Sequence, residues 1–303
     1  MSFTFNIGSR TLSYTIAASS TTYILGKNDA ISVANDGNGI FQGVAWFSDT
    51  ININGEIHVN YGSALRIDGM NNTITTGFDS IMTGTIGIWF NNADANAGAD
   101  GNVLRNQGQI VATFAGIIND ARDTSIQNFG TLRASDAVIG EIYGLSLANK
   151  KLAVIEADNR AIDLSQITDA SQHSTITNDG TISGDTAIVG GNERETIINR
   201  GMIRGNVALG GGSDLFDGRD GRIVGLIAGG NDNDTYIVDR QDINLFEEDA
   251  GGTGDTVQST VSFRLDVNFE NLFLIGSAKA SATGNAVGND IHGNAANNTL
   301  RGL

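Results

Sequence analysis

Short segments in which apolar and polar residues alternate recur along the chain, and a period of two is that of a β-strand. One seven-residue phrase, apolar–any–Asn–any–Gly–any–apolar, returns at nearly constant intervals. Its copies occupy 104–110, 126–132, 176–182 and 197–203, with a looser copy at 51–57. Gly108 and Gly130 are 22 residues apart, and Gly180, Gly201 and Gly221 follow one another at 21 and 20 residues. The gap between Gly130 and Gly180 leaves room for one further, degenerate copy. These intervals predict a structural unit that repeats once every ~20 residues.

A second apolar pair follows each phrase, for example at 116–117, 137–138 and 187–188. Two such series with one period predict a coil of parallel strands, in which each strand stacks on its counterpart in the next turn, ~4.8 Å away. The alternation places Ile, Val and Leu in the lumen and Asn, Thr and Arg outside, and the recurrent Asn is expected to form a ladder of stacked amides. A sandwich of antiparallel hairpins is the alternative, but it predicts turns every ~8–12 residues without a repeating phrase. The predicted fold is all-β, a right-handed parallel β-helix, or β-solenoid.

The regular phrases are missing from the N-terminal segment 1–50, which is predicted to form a cap together with the first strands. Its aromatic residues Phe41, Trp46 and Phe47 are candidates to cover the open end, because the last turn of a solenoid exposes unpaired backbone groups. Further along, the segment 141–156 departs from the period. It is interpreted as an excursion from the coil.

The composition agrees with a chain of strands and tight turns. Of 303 residues, 40 are Gly, 32 are Asn and 26 are Asp, whereas 8 are Glu. Asn, Asp and Gly tolerate the left-handed backbone of tight turns, and Glu is a better helix former. The chain has no Cys, which excludes disulfides, thiol chemistry and Cys-ligated metals. The net charge of −16 argues against nucleic acids and anionic membranes as partners, and no apolar run approaches the ~18 residues of a membrane span.

Candidate chemistry lies in three loops rich in Gly and acidic residues. The segment 229–237 fits the nonapeptide G-G-x-G-x-D-x-U-x, where U is a large apolar residue, except that Asp232 replaces the third Gly. The segment 209–217 keeps two of the glycines, the Asp and the apolar residue, and 190–198 has Glu in place of the Asp. The three loops start at intervals that match the period of the coil. They are therefore expected to stack on one edge.

Stacked loops of this kind suit a hard cation. Calcium binds about six to eight oxygen atoms; one loop offers about half of these, so two loops one turn apart complete the shell. Asp214 and Asp234 are predicted as the principal ligands, because they occupy corresponding positions in two successive loops. The predicted calcium site as a whole comprises Glu195, Gly212, Asp214, Asp217, Gly230, Asp232 and Asp234. The alternative is that the loops are ordinary Gly/Asp turns of the solenoid and bind nothing.

The C-terminal third resembles the RTX, or hemolysin-type, calcium-binding repeat proteins of bacteria. The resemblance is carried by 229–237, 251–257, Phe-Glu-Asn-Leu at 269–272 and Thr-Gly-Asn-Ala at 283–286. It implies that the solenoid runs into an RTX-type β-roll and that the protein is extracellular, folding outside the cell on meeting calcium. It also implies export by a type I secretion channel, provided that a longer parent chain carries the signal. The turns, or rungs, of the N-terminal two thirds resemble those of adhesin and autotransporter passengers.

This resemblance divides the remaining chain into a β-helix with calcium loops, 51–240, and a C-terminal segment, 241–303, that stops within a repeat. Two nine-residue units near its end have Asn289 and Asn298 where the family has Asp, so little calcium is expected there. A strand edge left open at Leu303 is expected to fray or to self-associate with a second copy.

Enzyme motifs are absent from the sequence. It contains neither H-E-x-x-H nor G-x-S-x-G, and its three histidines lie far apart. Polysaccharide lyases and epimerases also use parallel β-helices, and Asp158, Arg160 and Asp163 are the candidates for such a cluster. The favoured hypothesis is a secreted, calcium-stabilised protein with a structural or adhesive role, whose partner is a glycan or another cell-surface ligand. A polysaccharide-modifying enzyme is the alternative.

Overall fold

The computed structural model describes residues 4–11, 13–16, 19–42, 48–91, 101–141, 143–249 and 251–303. Within these residues every regular element is a β-strand, and there is no helix. The described part of the chain accordingly has no helix that is long and apolar enough to cross a membrane. The all-β class predicted from the sequence is confirmed.

The strands are short and follow one another closely. In chain order they begin with β1 (Thr4–Asn6), β2 (Tyr14–Ile16), β3 (Thr22–Leu25), β4 (Ala30–Asp36), β5 (Ile40–Gln42), β6 (Thr50–Ile53), β7 (Glu56–Tyr61), β8 (Ser63–Ile67), β9 (Thr73–Thr76), β10 (Ile81–Phe90) and β11 (Val103–Asn106). They continue with β12 (Gln109–Asn119), β13 (Ser125–Asn128), β14 (Thr131–Ala134), β15 (Ala137–Glu141), β16 (Ser146–Asn149), β17 (Val154–Ala157), β18 (Arg160–Asp163), β19 (His173–Asn178), β20 (Thr181–Val189), β21 (Arg194–Asn199) and β22 (Met202–Gly210). They end with β23 (Leu215–Asp217), β24 (Arg222–Val224), β25 (Leu226–Gly230), β26 (Thr235–Val238), β27 (Asn244–Phe246), β28 (Thr256–Ser259), β29 (Phe263–Arg264), β30 (Asn271–Leu274), β31 (Ser281–Thr283), β32 (Asp290–His292) and β33 (Thr299–Arg301).

Each strand pairs in parallel with the strand at the corresponding position of the next turn. The first sheet has the order β1-β3-β6-β9-β11-β13-β16-β19-β21-β23-β26-β28-β30-β32. The main path of the second sheet is β2-β5-β8-β10-β12-β14-β17-β20-β22-β25-β27, and a third, small sheet has the order β29-β31-β33. The protein is therefore a β-solenoid of about 12 turns, as the ~20-residue period predicts.

The long strands of the second sheet serve two faces of the coil. β10 pairs with β7 through its first half and with β8 through its second half. Its register against β12 shifts between the two halves, at Gly84/Ile86, and β20 pairs with β17 and β18 in the same divided way. Each turn thus passes along one strand of the first sheet and two segments of the second. The coil has three faces around one lumen.

The lumen is filled by columns of stacked apolar side chains. In the first sheet, one register position is apolar and at most 2% exposed in every rung from β3 to β30. This column consists of Tyr23, Ile51, Ile74, Leu104, Ile126, Leu147, Ile176, Ile197, Phe216, Tyr236, Val257 and Leu272. Burying one such side chain contributes about 1.5–3 kcal/mol, which explains why the repeating phrase keeps an apolar residue here.

A ladder of five buried asparagines runs along the lumen at the ends of the first-sheet strands. Asn106, Asn128, Asn149, Asn178 and Asn199 are at most 1% exposed, and each Nδ2 donates to the Oδ1 of the next at 2.8–2.9 Å. The predicted ladder of amides is confirmed. The prediction that Asn lies outside the coil is wrong for these five. Each follows a lumen residue by two positions, so its side chain points to the same side.

The segment 141–156 belongs to the coil, and its interpretation as an excursion is wrong. β16 lies between β13 and β19 in the first sheet, and β17 lies between β14 and β20 in the second. Asn149 supplies the degenerate copy expected between Gly130 and Gly180. The phrase is obscured because the following turn is longer and is closed by a hydrogen bond of 2.9 Å from Ala153 N to Lys150 O.

The described part of the segment 1–50 contributes rungs to the coil, and the predicted cap stays a prediction. β3 pairs with β6 in the first sheet, and β5 pairs with β8 in the second. Of the predicted cap residues, Phe41 lies on β5 with the guanidinium of Arg66 5.5 Å from its ring centre. Trp46 and Phe47 lie outside the described residues. Near the other end, the second sheet finishes with β27 and the third begins with β29, close to the predicted start of the C-terminal segment.

Candidate metal centre

A second polar column stands at the corner where the chain enters each strand of the first sheet. Its members share one register position. In eight neighbouring pairs of these described residues, the side-chain oxygen of one rung accepts a hydrogen bond from the backbone N–H of the preceding rung, at 2.7–3.0 Å. With one apolar member, this capping column consists of Thr21, Asp49, Asn72, Asn102, Thr124, Leu145, Ser174, Glu195, Asp214, Asp234, Asp255, Glu270 and Asn289. The side chains from Thr21 to Asp255 are at most 2% exposed.

In the N-terminal part of the column, both oxygens of the Asp49 carboxylate accept hydrogen bonds. Asp49 Oδ1 accepts from Thr21 N at 2.9 Å, and its Oδ2 accepts from Gln42 Nε2 at 2.7 Å. Gln42 and Asn72 exchange amide hydrogen bonds of 2.8 and 3.0 Å, and Asn72 Nδ2 also donates to Asn102 Oδ1 at 3.0 Å. Burial raises the pKa of the Asp49 carboxyl, and its two donors oppose that shift. Gln42, Asp49, Asn72 and Asn102 are called the amide network below.

Further along the column the members become acidic. Glu195 N donates to Asp214 Oδ1 at 2.7 Å, Asp214 N to Asp234 Oδ1 at 2.8 Å, and Asp234 N to Asp255 Oδ1 at 2.8 Å. Each aspartate therefore caps the preceding rung with one oxygen, as Asn72 does. The other oxygen, Oδ2, is buried and accepts no hydrogen bond.

Two glutamates outside the column bring further buried carboxylates to this corner. Glu193 Oε1 accepts from Ser174 Oγ at 2.7 Å, and Glu247 Oε1 accepts from the hydroxyl of Tyr236. The Oε2 atoms of both glutamates, and that of Glu195, have no hydrogen-bond partner. Together with the three aspartates, this makes six buried carboxylate oxygens without a partner. The acids concerned are called the acidic core, and they are Glu193, Glu195, Asp214, Asp234, Glu247 and Asp255.

Gly229 leaves space beside these carboxylates. In the second sheet it takes the register position between Leu209 of the preceding rung and Glu247 of the next. A Cβ at Gly229 would lie 2.2 Å from Glu247 Oε1, 2.2 Å from the hydroxyl of Tyr236 and 2.3 Å from Asp234 Oδ2. A side chain at this position would therefore displace the carboxylates.

Within the described residues, Asp234, Glu247 and Asp255 form a compact group that is called the lower centre. One oxygen from each lies within 4.8 Å of the other two. The three acids come from the loop before β26, the residue after β27 and the loop before β28, so they meet only in the folded coil. The ion pairs formed by the described residues include none of these acids. Donors that are all oxygen fit a hard cation such as calcium.

Burial without a counter-charge raises the pKa of the carboxyls of the acidic core. Desolvation raises the pKa of Asp234 to about 7 and that of Glu247 to about 8, and the charges of neighbouring acids add to both shifts. Desolvation likewise raises the pKa of Glu195 to about 8, and that of Asp214, which also lies against Glu195, to about 10. The two remaining acids shift in the same direction for the same main reason. Without a cation, the carboxyls of Glu195, Asp214 and Glu247 therefore hold protons at neutral pH, and that of Asp234 is partly protonated.

Of the residues predicted as metal ligands, the structure stacks Glu195, Asp214 and Asp234 in the capping column. Asp232 is exposed, and its Oδ2 accepts a hydrogen bond of 3.3 Å from Gly212 N. Its charge still contributes to the raised pKa of Asp234. Asp232 thus faces the acidic core from outside the lumen.

Asp217 does not join the acidic core. It lies at the far end of β23, where its carboxylate accepts hydrogen bonds of 2.9 and 2.7 Å from the guanidinium of Arg219. Gly212 and Gly230 have left-handed φ angles of 111° and 108°, and a Cβ at Gly230 would lie 2.1 Å from the backbone oxygen of Gly210. Close stacking of the loops therefore requires glycine at these positions, and coordination by their carbonyls stays a prediction.

Three members of the acidic core were not predicted from the sequence: Glu193, Glu247 and Asp255. For Asp255 a signal exists, because it precedes a lumen residue by two positions, as Asp234 does 21 residues earlier. Glu247 follows the buried Leu245 by two positions and so faces the lumen. Its role as a partner of Asp234 depends on the register between the two sheets, which no local phrase reveals.

Beyond the acidic core, the column returns to a neutral amide. Asn289 Oδ1 accepts from Asn285 N at 2.8 Å, and its Nδ2 donates to Phe269 O at 2.8 Å. At the corresponding position of the next repeat, Asn298 Nδ2 donates to Ala280 O at 3.3 Å. Both amides have hydrogen-bond partners within the protein, and the expectation of little calcium there stays a prediction.

The polar groups considered for catalysis are spread over the coil. Arg160 Nη1 pairs with Asp163 Oδ2 at 2.6 Å, Asp163 Oδ1 accepts from Ser165 Oγ at 2.6 Å, and Asp158 is exposed. Three different strands carry the histidines, namely β7 (His58), β19 (His173) and β32 (His292). Among the described residues, these groups do not converge on one cleft.

Comparisons of the chain with protein-family models, with curated proteins and with solved structures found no match. The carboxylate oxygens of the acidic core determine what this part of the coil can bind. Six buried oxygens lack a hydrogen-bond donor, and the position beside Gly229 where a side chain would stand is bounded by oxygens of Glu247, Tyr236 and Asp234. Carboxylates in such surroundings are either protonated or paired with a cation.

Proposed function

We propose that this protein is a calcium-binding structural β-solenoid, in which calcium held by the acidic core stabilises the C-terminal rungs. The observation that carries the proposal is the set of six buried carboxylate oxygens without a hydrogen-bond partner. A buried carboxylate without a partner is strongly unfavourable, and proteins that keep such groups pair them or use them to bind metals. Calcium suits this donor set, because it takes carboxylate and carbonyl oxygens at high coordination number in flexible geometry.

The lower centre is the main site of the proposal. Asp234 and Asp255 belong to successive strands of the first sheet, whereas Glu247 follows a strand of the second. An ion shared by the three would connect both sheets and neighbouring rungs. Because the unfolded chain does not assemble this group, binding stabilises the folded state by RT ln(1 + [L]/Kd), about 2.7 kcal/mol at a hundredfold excess over Kd.

The proposal includes an extracellular location of the protein. Calcium modules outside cells bind with Kd of about 10⁻⁴–10⁻³ M, and the chain has no Cys with which to form disulfides in an oxidising compartment. Calcium in the acidic core would take over that stabilising role. The resemblance of the loops to RTX repeats supports secretion, and the long coil supports a structural or adhesive role toward a glycan or another cell-surface ligand.

Thermal melts of the full chain in calcium, in magnesium and in chelator test the metal site. We expect the melting temperature to rise with millimolar calcium and to change little with magnesium, which keeps its waters and fits an all-protein site poorly. Asp234→Asn should abolish most of the calcium gain. Asp217→Asn is the matched control, because Asp217 pairs with Arg219 outside the lumen, and it should keep the full gain. If chelator leaves the wild-type melt unchanged, the acidic core binds no calcium.

Terbium luminescence tests the position of the ion. Tyr236 donates to Glu247 of the lower centre. Tyr143, the tyrosine before it in the sequence, precedes β16, and β16 lies four strands from the strand of Tyr236 in the first sheet. Terbium bound at the lower centre should therefore emit when tyrosine is excited, and calcium should quench this emission by competition. Tyr236→Phe should remove most of the signal while calcium still raises the melting temperature. Emission that persists in this variant would place the ion elsewhere.

A further inference from the structure

A cleft lies where the second sheet ends and the third begins. Within the described chain, β27 is the last strand of the second sheet and β29 belongs to the third, so the two are not paired. The first sheet continues past this point through β28, β30 and β32, so the wall of the coil is interrupted on one side only. A cavity of about 370 Å³ lies at the interruption, within the range of about 300–1,000 Å³ that small-molecule sites occupy. This cavity is called the wall cleft, and its lining includes Gln241, Ile243, Phe263, Arg264, Asp266 and Thr283.

Two apolar side chains form one part of the lining. Ile243 directly precedes β27 and is buried. Phe263 lies on β29, is partly buried and packs against the hydrophobic core. The part of this ring that remains accessible offers a rigid apolar surface to a ligand.

Polar side chains form the other part of the lining. Arg264 on β29 and Thr283 on β31 are register partners, and Asp266 follows Arg264 by two positions. Gln241, Arg264 and Asp266 are exposed. The ion pairs formed by the described residues include neither Arg264 nor Asp266. These charged groups can therefore bind a ligand without giving up an ion pair within the protein.

The charges of the lining indicate the class of ligand. Arg264 and Asp266 give the wall cleft one positive and one negative group, although the whole chain has a net charge of −16. A guanidinium only donates hydrogen bonds and a carboxylate only accepts them, whereas an amide and a hydroxyl do both. A sugar hydroxyl also donates and accepts, so one sugar ring can bind both charged groups while its C–H face contacts Phe263. A ligand that is itself charged would be attracted by one of the two groups and repelled by the other.

We propose that the wall cleft binds a neutral sugar residue of a glycan. Arg264 and Asp266 bind its hydroxyl groups, Gln241 and Thr283 supply further hydrogen bonds, and Phe263 contacts its apolar face. The inference deepens the role toward a glycan and rests on that part of the proposed function. It uses no residue of the acidic core.

Saturation-transfer difference NMR of the full chain in calcium tests the site. The probes are the methyl glycosides of glucose, galactose, mannose and N-acetylglucosamine, with methyl glucuronide as the charged comparison. We expect a neutral glycoside to bind at millimolar concentration and the glucuronide to bind more weakly. Arg264→Met and Asp266→Asn should each weaken binding about tenfold, as the loss of a hydrogen bond to a charged group does. Arg222→Met is the matched control, because Arg222 is an exposed arginine on β24 outside the lining, and it should keep the wild-type affinity.

The outcomes separate this site from the proposed function. If no glycoside binds, or if Arg264→Met and Asp266→Asn bind like the wild type, the wall cleft is not a sugar site. A preference for the glucuronide overturns the neutral class of ligand. Signals on a glycan array that both variants keep would place glycan binding elsewhere on the coil and leave the glycan role standing, and absence of binding in both assays overturns that role as well. The melts in calcium and chelator test the acidic core independently. Circular dichroism checks folding, and Gln241→Ala replaces any variant that does not fold, with a weakening again expected.

Discussion

The amide network and the acidic core are both built around buried members of the capping column, and these members use the same backbone hydrogen bonds. They differ in where the second oxygen of a carboxylate finds its partner. In the amide network, Asp49 Oδ2 accepts a hydrogen bond from Gln42 Nε2 at 2.7 Å. In the acidic core, the Oδ2 atoms of Asp214, Asp234 and Asp255 accept no hydrogen bond.

This difference separates a structural carboxylate from a candidate ligand. Burial alone does not make a metal site. Asp49 is as buried as Asp234, but the protein supplies hydrogen-bond donors to both of its carboxylate oxygens. The acidic core lacks donors for the second oxygen of each carboxylate, and Gly229 has no side chain to occupy the position beside Glu247 and Asp234. Gln42 therefore does for Asp49 what we propose that a cation does for Asp234. The following variants test whether that parallel holds.

Among the single substitutions, the largest effect is expected when a carboxylate is placed in the amide network. Asn72→Asp removes the amide that donates to Gln42 and Asn102 and brings a second charge beside Asp49. An unpaired buried charge costs about 3–5 kcal/mol, so we expect a loss of this size in circular dichroism melts. Calcium should not restore it, since neighbouring amides fill the space around the new carboxylate.

Asn289→Asp is the control for this change, because Asn289 occupies the same column at a partly exposed position. Its loss should be about 1 kcal/mol, the size of a single hydrogen bond. If Asn72→Asp melts like the wild type, a buried carboxylate without donors is inexpensive in this lumen. The argument from unpartnered oxygens would then lose its premise.

The second effect is a fall in the stability of the metal-free protein as the pH rises. In the folded state the pKa of Asp234 rises from 3.8 to about 7 and that of Glu247 from 4.5 to about 8. The folded state then binds more protons than the unfolded state, so this stability is complete below the unfolded pKa values and is lost as the pH passes the folded ones. One excess proton gives about 1.4 kcal/mol per pH unit.

Melting temperatures in metal-free buffer, from about pH 5 to about pH 8, measure this fall. Calcium ionises the carboxyls that it binds, so the decline should flatten when the ion is present at saturation. The variant with Asp234→Asn, Glu247→Gln and Asp255→Asn should show a flatter decline without metal. A wild-type profile that is flat in metal-free buffer would contradict the raised pKa values.

The fold could be read from the sequence because the coil repeats its phrase, and each copy independently indicates an apolar residue in the lumen. The rung at Ser146–Asn149 was obscured because its turn is longer, although the position of Asn149 within the strand was unchanged. The side of the coil on which Asn lies could also have been read from the sequence. It follows from the same alternation that places Ile126 and Ile176 inside.

The acidic core was only half accessible to the same reasoning. Asp214 and Asp234 stand in the repeating loops, and their stacking follows from the period. Glu247 comes from the opposite sheet, so its contact with Tyr236 depends on side-chain packing across the lumen. Asp217 was selected because it lies in the loop segment, but the end of β23 turns it toward Arg219 instead. Sequence spacing predicts which residues share a column, and contacts between columns require the folded structure.

A third effect concerns the asparagine ladder, which we expect to be independent of calcium. Asn149 Oδ1 accepts from Asn128 at 2.9 Å, and its Nδ2 donates to Asn178 at 2.8 Å. Asn149→Ala leaves one buried donor and one buried acceptor without partners, so we expect a loss of about 1–3 kcal/mol. Melts in calcium and in chelator should show the same loss. A loss that differs between the two conditions would mean that the ladder and the acidic core are coupled.

The smallest effect is expected for Tyr236→Phe, and its dependence on calcium sharpens the comparison of the two regions. Phenylalanine keeps the edge-to-face contact with Phe269, whose ring centre lies 5.6 Å away, but it removes the hydroxyl that donates to Glu247. We expect a loss of about 1 kcal/mol in chelator and a smaller one in calcium, where the ion supplies the partner of the carboxylate. Gln42→Met removes the donor of Asp49 in the amide network, where no ion replaces it, so its loss should be equal in both conditions. Paired melts of the two variants give the comparison directly. Equal losses for Tyr236→Phe with and without calcium would show that the ion does not reach Glu247.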